Sequence, residues 1–182
     1  MLSKSIRSVV LLVLTASIPS LAAAEDERPR RKDTRRPQPK QARLTTFANP
    51  KELKPGQTFT YNVKVRLDDG WRIFSYSPEQ PKEGDPFFTS FDFFDTGGFE
   101  IASDWHASKP AIAKHLPDFP DRQTVEFYED EVTWSIRLRV PQAMEAGERT
   151  LKCQASYMIT KGKAAAFPTR FTLPDVRVKV SR

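Results

Sequence analysis

LKCQASYMITKGKAAAFPTRF, residues 151–171, decides the fold. Leu151, Cys153, Ala155, Tyr157 and Ile159 fall at every second position, with Lys152, Gln154 and Ser156 between them. That is the period of a strand with one buried face. Lys161, Gly162 and Lys163 then supply a turn, and Ala164, Ala165 and Ala166 follow. Phe167-Pro168-Thr169-Arg170-Phe171 re-enters strand-like sequence. Strand, tight turn and aromatic-proline return predict a hairpin on the rim of a sheet. The turn offers no nucleophile, acid or metal ligand.

The same alternation recurs on both sides. Leu44 to Ala48 reads as a first strand, and Asn49 to Gly56 as a turn region. Phe59, Tyr61, Val63, Val65 and Leu67 mark one face of a strand over 57–67. Asp68-Asp69-Gly70 is a turn sequence, and Trp71 to Ser77 is the next strand. Ser77 to Pro86 holds three prolines and a glycine and reads as loop. Phe87 to Asp95 is strand-like, Gly97-Gly98 breaks it, and Phe99 to Trp105 continues. His106 to Arg122 has three prolines and little periodicity, so it is expected to be a long surface loop. Gln123 to Tyr128 and Val132 to Val140 are expected to form a hairpin around Glu129-Asp130-Glu131. Val132, Trp134, Ile136, Leu138 and Val140 share a face of its second arm. Val176, Val178 and Val180 close the chain. Eight or nine short strands, each with one apolar face, and no helix predict an all-β antiparallel β-sandwich.

Three segments differ in character. Residues 1–24 carry Lys4 and Arg7, a short apolar run from Val9 to Leu14, and Ala22-Ala23-Ala24. This reads as a secretory leader, with cleavage expected after Ala24, and its apolar run is too short to span a bilayer. Residues 25–43 hold eight Lys/Arg, four acids and no aromatic side chain. Such a segment cannot bury enough apolar surface to offset the entropy of ordering, so it is expected to be a disordered basic linker. Residues 44–182 form one domain. Of the +6 formal charge, the leader carries +2 and the linker +4, which leaves the domain neutral. A neutral domain lacks the field of a nucleic-acid-binding fold. The linker reads as a solvated spacer, with weak contact to an anionic surface through Arg28, Arg30, Arg31, Lys32, Arg35 and Arg36 as the alternative.

Residues 57–180 resemble the N-terminal domain of the thiol:disulfide interchange protein DsbD, an immunoglobulin-like periplasmic domain. Three motifs carry the resemblance: Asp69-Gly70-Trp71-Arg72-Ile73-Phe74, Val125-Glu126-Phe127-Tyr128-Glu129-Asp130, and Tyr157 to Pro168. In that family the strand runs aromatic-x-x-Cys, then about five polar residues, a second Cys, an aromatic and Pro. Thr160 and Ala166 stand where the two cysteines would be. The resemblance implies an immunoglobulin-like sandwich in the periplasm or cell envelope. It also implies a shielding loop equivalent to His115–Arg122, whose one aromatic is Phe119.

The chemistry departs from the family. Thiol–disulfide exchange needs two thiols in reach, and this chain has one cysteine. Cys153 lies on the apolar face of its strand, where a thiol is a small hydrophobe rather than a nucleophile. His106 and His115, with Asp104 and Asp118 nearby, match no spacing that would aim them at a metal. No Gly-x-Ser-x-Gly elbow and no Gly-rich phosphate loop occurs. The sequence thus predicts no catalytic residue, no metal and no cofactor. It predicts a secreted binding domain whose contact rim is Tyr157, Thr160, Ala166, Phe167 and Pro168, with Phe119 across the gap. The bland alternative is that these residues only close a sheet edge. The partner expected is an unidentified envelope protein, one of thioredoxin-like kind being a candidate, and no nucleic acid is expected on the folded domain. The alternative function is an accessory of thiol–disulfide exchange, docking on a redox partner or using Cys153 in an intermolecular disulfide. A third reading is an envelope structural protein anchored by the basic linker.

Overall fold

Alternating apolar side chains make strands, and strands are what the chain contains. The computed structural model describes residues 39–77, 88–115, 124–162 and 164–182, with the backbone alone for 164–169. The leader, most of the basic linker and Phe119 lie outside the described residues. Among the described residues there is no helix and there are thirteen strands. In chain order they are β1 (Ala42–Asn49), β2 (Glu52–Leu53), β3 (Thr58–Leu67), β4 (Arg72–Phe74), β5 (Thr89–Asp95) and β6 (Glu100–Ile101). There follow β7 (His106–Ala107), β8 (Ile112–His115), β9 (Thr124–Glu129), β10 (Glu131–Arg139), β11 (Gly147–Lys161), β12 (Ala164–Thr172) and β13 (Val176–Val180). β1 takes up Ala42 and Arg43, the last two residues of the basic segment, and buries Ala42.

Two sheets result. The first runs β1-β3-β10, with β6 and β7 both paired to β10. The second runs β2-β13-β11-β4-β9-β8, with β5 and β12 also on β11. All these ladders are antiparallel except the short β2–β13 pair. This is the all-β, mainly antiparallel sandwich that the alternation predicts. β11 is its hub. Gln154 to Tyr157 pair with β5 on one edge and β12 on the other. The Leu173 N–H donates to the Cys153 carbonyl at 2.9 Å, which joins β12 and β13 along one edge.

The inner faces meet through aromatic rings. Tyr61 of β3 stands edge-on to Phe93 of β5, with ring centroids 5.0 Å apart. Trp134 of β10 packs 5.4 Å from both Phe91 and Tyr128 of the second sheet. The edge-to-face pairs Tyr61–Phe93 and Tyr128–Trp134 add ~0.5–1.5 kcal/mol each beyond the area they bury. Leu151, Cys153, Ala155, Tyr157 and Ile159 are all buried in the same core, as their spacing predicts.

Two expectations are overturned. β9 and β10 do not form a hairpin: β9 pairs with β4 and β8 in the second sheet, and β10 with β3 in the first. Asp130, at φ 61°, turns the chain from one sheet to the other. Asp tolerates that left-handed conformation better than most residues. The Leu67 N–H donates to the Asp130 carbonyl at 2.7 Å, and Glu131 ion-pairs with Lys64 and Arg66 of β3. The crossing is thereby tied to the first sheet, and Tyr128 meets Trp134 across the core. The segment from His106 onward is also not all loop. His106 sits in β7 on the first sheet, and His115 in β8 on the edge of the second.

Candidate functional site

β11 and β12 close a hairpin at Lys161↔Ala164, with Gly162 at φ 58° in the connection. Thr160 is half-buried and pairs with Ala165 on β12 and Arg72 on β4. Arg72 in turn pairs with Glu129 of β9, and its Nε donates to Glu129 Oε1 at 2.6 Å. The Arg72 guanidinium also lies 4.6 Å from the centre of the Phe127 ring. Thr160, Arg72 and Glu129 thus form one row across the second sheet. Cross-strand neighbours share a face, so the row points away from the sandwich core. Beside it on that outer face lie Met158, Phe74, Phe127 and Val125, all buried.

The candidate residues do not all reach this rim. Tyr157 is 1 % exposed and faces the core, because it shares the parity of Cys153 and Ile159. Parity excludes Tyr157 from a contact surface while it leaves Thr160 available. Ala166 pairs with Ile159, one step from Thr160. Residues alternate between faces along a strand, so positions 160 and 166 fall on opposite faces of the ladder. Phe167 and Pro168 together stand against Met158 alone, between the pairs Tyr157↔Thr169 and Ile159↔Ala166. This is a bulge, the place in a sheet where proline's missing N–H costs least. Phe119 lies outside the described residues.

Cys153 is completely buried. Burial, with Asp92 nearby as a smaller contribution, pushes its thiol up to about 12. The Tyr61 phenol beside it is also pushed well up, chiefly by burial. That environment favours the protonated thiol, whereas attack and metal binding both need the thiolate.

A second feature lies on the open side of the sandwich, between β5 and the segment that carries β6 and β7. It is a cavity of about 340 Å³. Phe91 and Trp105 are its buried aromatic base, with ring centroids 4.6 Å apart. Tyr76 and Phe93 are half-buried and stack on these two, at 6.1 Å on Phe91 and 6.0 Å on Trp105. Asp92 and Asp104 line the cavity and are exposed. Sequence reasoning missed this group. The available signal was the shared parity of Phe91 and Phe93; Tyr76 and Trp105 come from separate segments with no local period.

No family model matches the sequence, and no curated protein matches it. Among solved structures, the chain is similar to the N-terminal periplasmic domain of ScsB from Proteus mirabilis, at 14 % identity and a TM-score of 0.45. The match covers 79 % of this chain and 48 % of that one, so the chain spans about half the length of the ScsB domain. It is also similar to AggA, the major subunit of aggregative adherence fimbriae type I from Escherichia coli. There the identity is 13 % and the TM-score 0.37, over 77 % of this chain and 95 % of AggA. Neither similarity carries a function to this chain.

Proposed function

We propose that the chain is a secreted, periplasmic or cell-envelope binding domain of immunoglobulin-like architecture that acts by contact and not by thiol–disulfide exchange. The observation that supports this most is the state of Cys153: fully buried, on the inner face of β11, with its thiol pushed up to about 12. The leader-like sequence of residues 1–24 supports export. The contact surface proposed is the outer row at the β11–β12 turn, centred on Thr160 and flanked by Arg72 and Glu129. It keeps Thr160 from the sequence-derived rim but not Tyr157, which belongs to the core, nor Ala166, whose position falls on the other face. The partner proposed is another envelope protein, and one of thioredoxin-like kind is the first to try.

The test is site-specific photocrosslinking in envelope extract, with a benzophenone amino acid in place of Thr160 and, as control, of the exposed Lys179. Discrete adducts from position 160 and none from 179 are expected. Equal labelling at both positions would remove the rim. Turnover in an insulin-reduction assay that Cys153→Ala abolishes would remove the non-redox reading.

A further inference from the structure

We infer that the aromatic cavity between β5 and the β6–β7 segment is a binding site for a monovalent organic cation, a quaternary ammonium or a guanidinium group. This site is separate from the β11–β12 rim and does not depend on it. Four rings surround the cavity: Phe91 and Trp105 at its base, Tyr76 and Phe93 half-exposed above them. The face of an aromatic ring carries negative charge density and attracts a cation held within about 6 Å of its centre. Two carboxylates, Asp92 and Asp104, share the cavity with those rings, and both bear on the Tyr76 hydroxyl.

The carboxylates are unequally engaged. Asp92 has Arg170 at 4.0 Å, the limit of an ion pair. Asp104 has no ion-pair partner among the described residues. Among the described residues no Lys or Arg lines the cavity to neutralise it. Among the described residues, a neutral domain has thus gathered negative charge that is only partly compensated beside half-exposed aromatic surface. An apolar guest would leave Asp104 unanswered, and a hydrated inorganic cation would gain little from the rings. A cation with a methylated or planar apolar surface satisfies both. Among the described residues no group of three His, Cys, Asp or Glu side chains is placed to hold a metal ion. At about 340 Å³ the cavity is near the small end of ligand pockets and suits one such group rather than a polymer.

The test is calorimetric titration of the full mature chain with choline, with arginine amide, and with 3,3-dimethylbutan-1-ol, the neutral carbon analogue of choline. Binding of either cation in the millimolar range or tighter, weakened by salt and absent for the alcohol, is expected. Choline alone would mark a free quaternary ammonium as the ligand, and arginine amide alone a side chain presented by a peptide. Asp104→Asn keeps the shape, removes the charge and is expected to weaken binding roughly three- to tenfold. Tyr76→Leu removes a half-exposed ring and is expected to weaken it by a similar factor. No heat with either cation, equal binding of the alcohol, or an unchanged affinity in a folded Asp104→Asn variant would overturn the assignment.

Discussion

Cys153 offers the sharpest test of a contact role, because its reactivity follows from where β11 places it. Its side chain is fully buried among Tyr61 and the inner face of the second sheet. Desolvation, the main cause, moves the thiol from its ordinary 9.0 up to about 12. At pH 8 an ordinary thiol of that kind is ionised to roughly one part in ten, and Cys153 to roughly one part in ten thousand. Ionisation alone therefore slows attack on a disulfide reagent by roughly a thousandfold, before any steric shielding. The route through global unfolding is no faster, since a stability of ~5–15 kcal/mol leaves ~10⁻⁴ or less of the chain open. Ellman's reagent at pH 8 is expected to release no thiol from the native protein on mixing, and one equivalent once guanidinium unfolds it. Full release from the native chain within the mixing time would refute the burial argument. With it would go the main support for a non-redox function.

The same shift makes the fold sensitive to alkali. Cys153 keeps its proton in the native state up to about 12 but loses it near 9.0 when unfolded, so stability is complete below pH 9 and falls as the pH rises toward 12. Three pH units correspond to ~4 kcal/mol, and guanidinium titrations across this range are expected to show a shallower loss in Cys153→Ala. Trp134→Ala removes a ring packed on both Phe91 and Tyr128, and a cavity there is expected to cost ~3–5 kcal/mol in the same titration. A designed disulfide reads the hairpin register: Thr160→Cys with Ala165→Cys is expected to oxidise within the monomer, and Thr160→Cys with Ala166→Cys to stay reduced or link two molecules. Mass spectrometry after alkylation separates these, and the reverse result would show the register to be one residue out. Mild trypsin is expected to trim the basic segment no further than Lys40, because Arg43 is paired with Arg66 in β1; early cuts beyond Leu44 would contradict an ordered domain there.

Alternation made β3, β10 and β11 legible, since each buries an apolar face and leaves a mostly polar face largely half-buried or exposed. It reports which residues point inward but not which sheet a strand joins. That is why β9 and β10 read as a hairpin: Glu129-Asp130-Glu131 suits a tight turn and a crossing between sheets equally well. What decides it is long-range, the pairing of Glu131 with Lys64 and Arg66 and the facing of Tyr128 on Trp134. β7 and β8 escaped notice because two and four residues are too few to show a period. The cavity escaped because its rings come from three separate segments.

The rim shows where sequence spacing stops short of geometry. Thr160 and Ala166 were placed by counting along the chain, and the count cannot see the bulge at Phe167-Pro168 that fixes which residues oppose each other. Parity along β11 is firmer. Cys153 and Thr160 are seven residues apart, an odd number, so they occupy opposite faces of the strand. For Cys153 to reach the outer face where Thr160 sits, β11 would have to slip by one residue. That slip would drive Lys152, Gln154 and Ser156 into the core and expel Leu151, Ala155, Tyr157 and Ile159 with the thiol. Burying even one unpaired lysine costs several kcal/mol, a large part of the stability a domain of this size has. The lone cysteine therefore cannot reach the face on which Thr160 sits without a slip that removes a large part of the sandwich's stability.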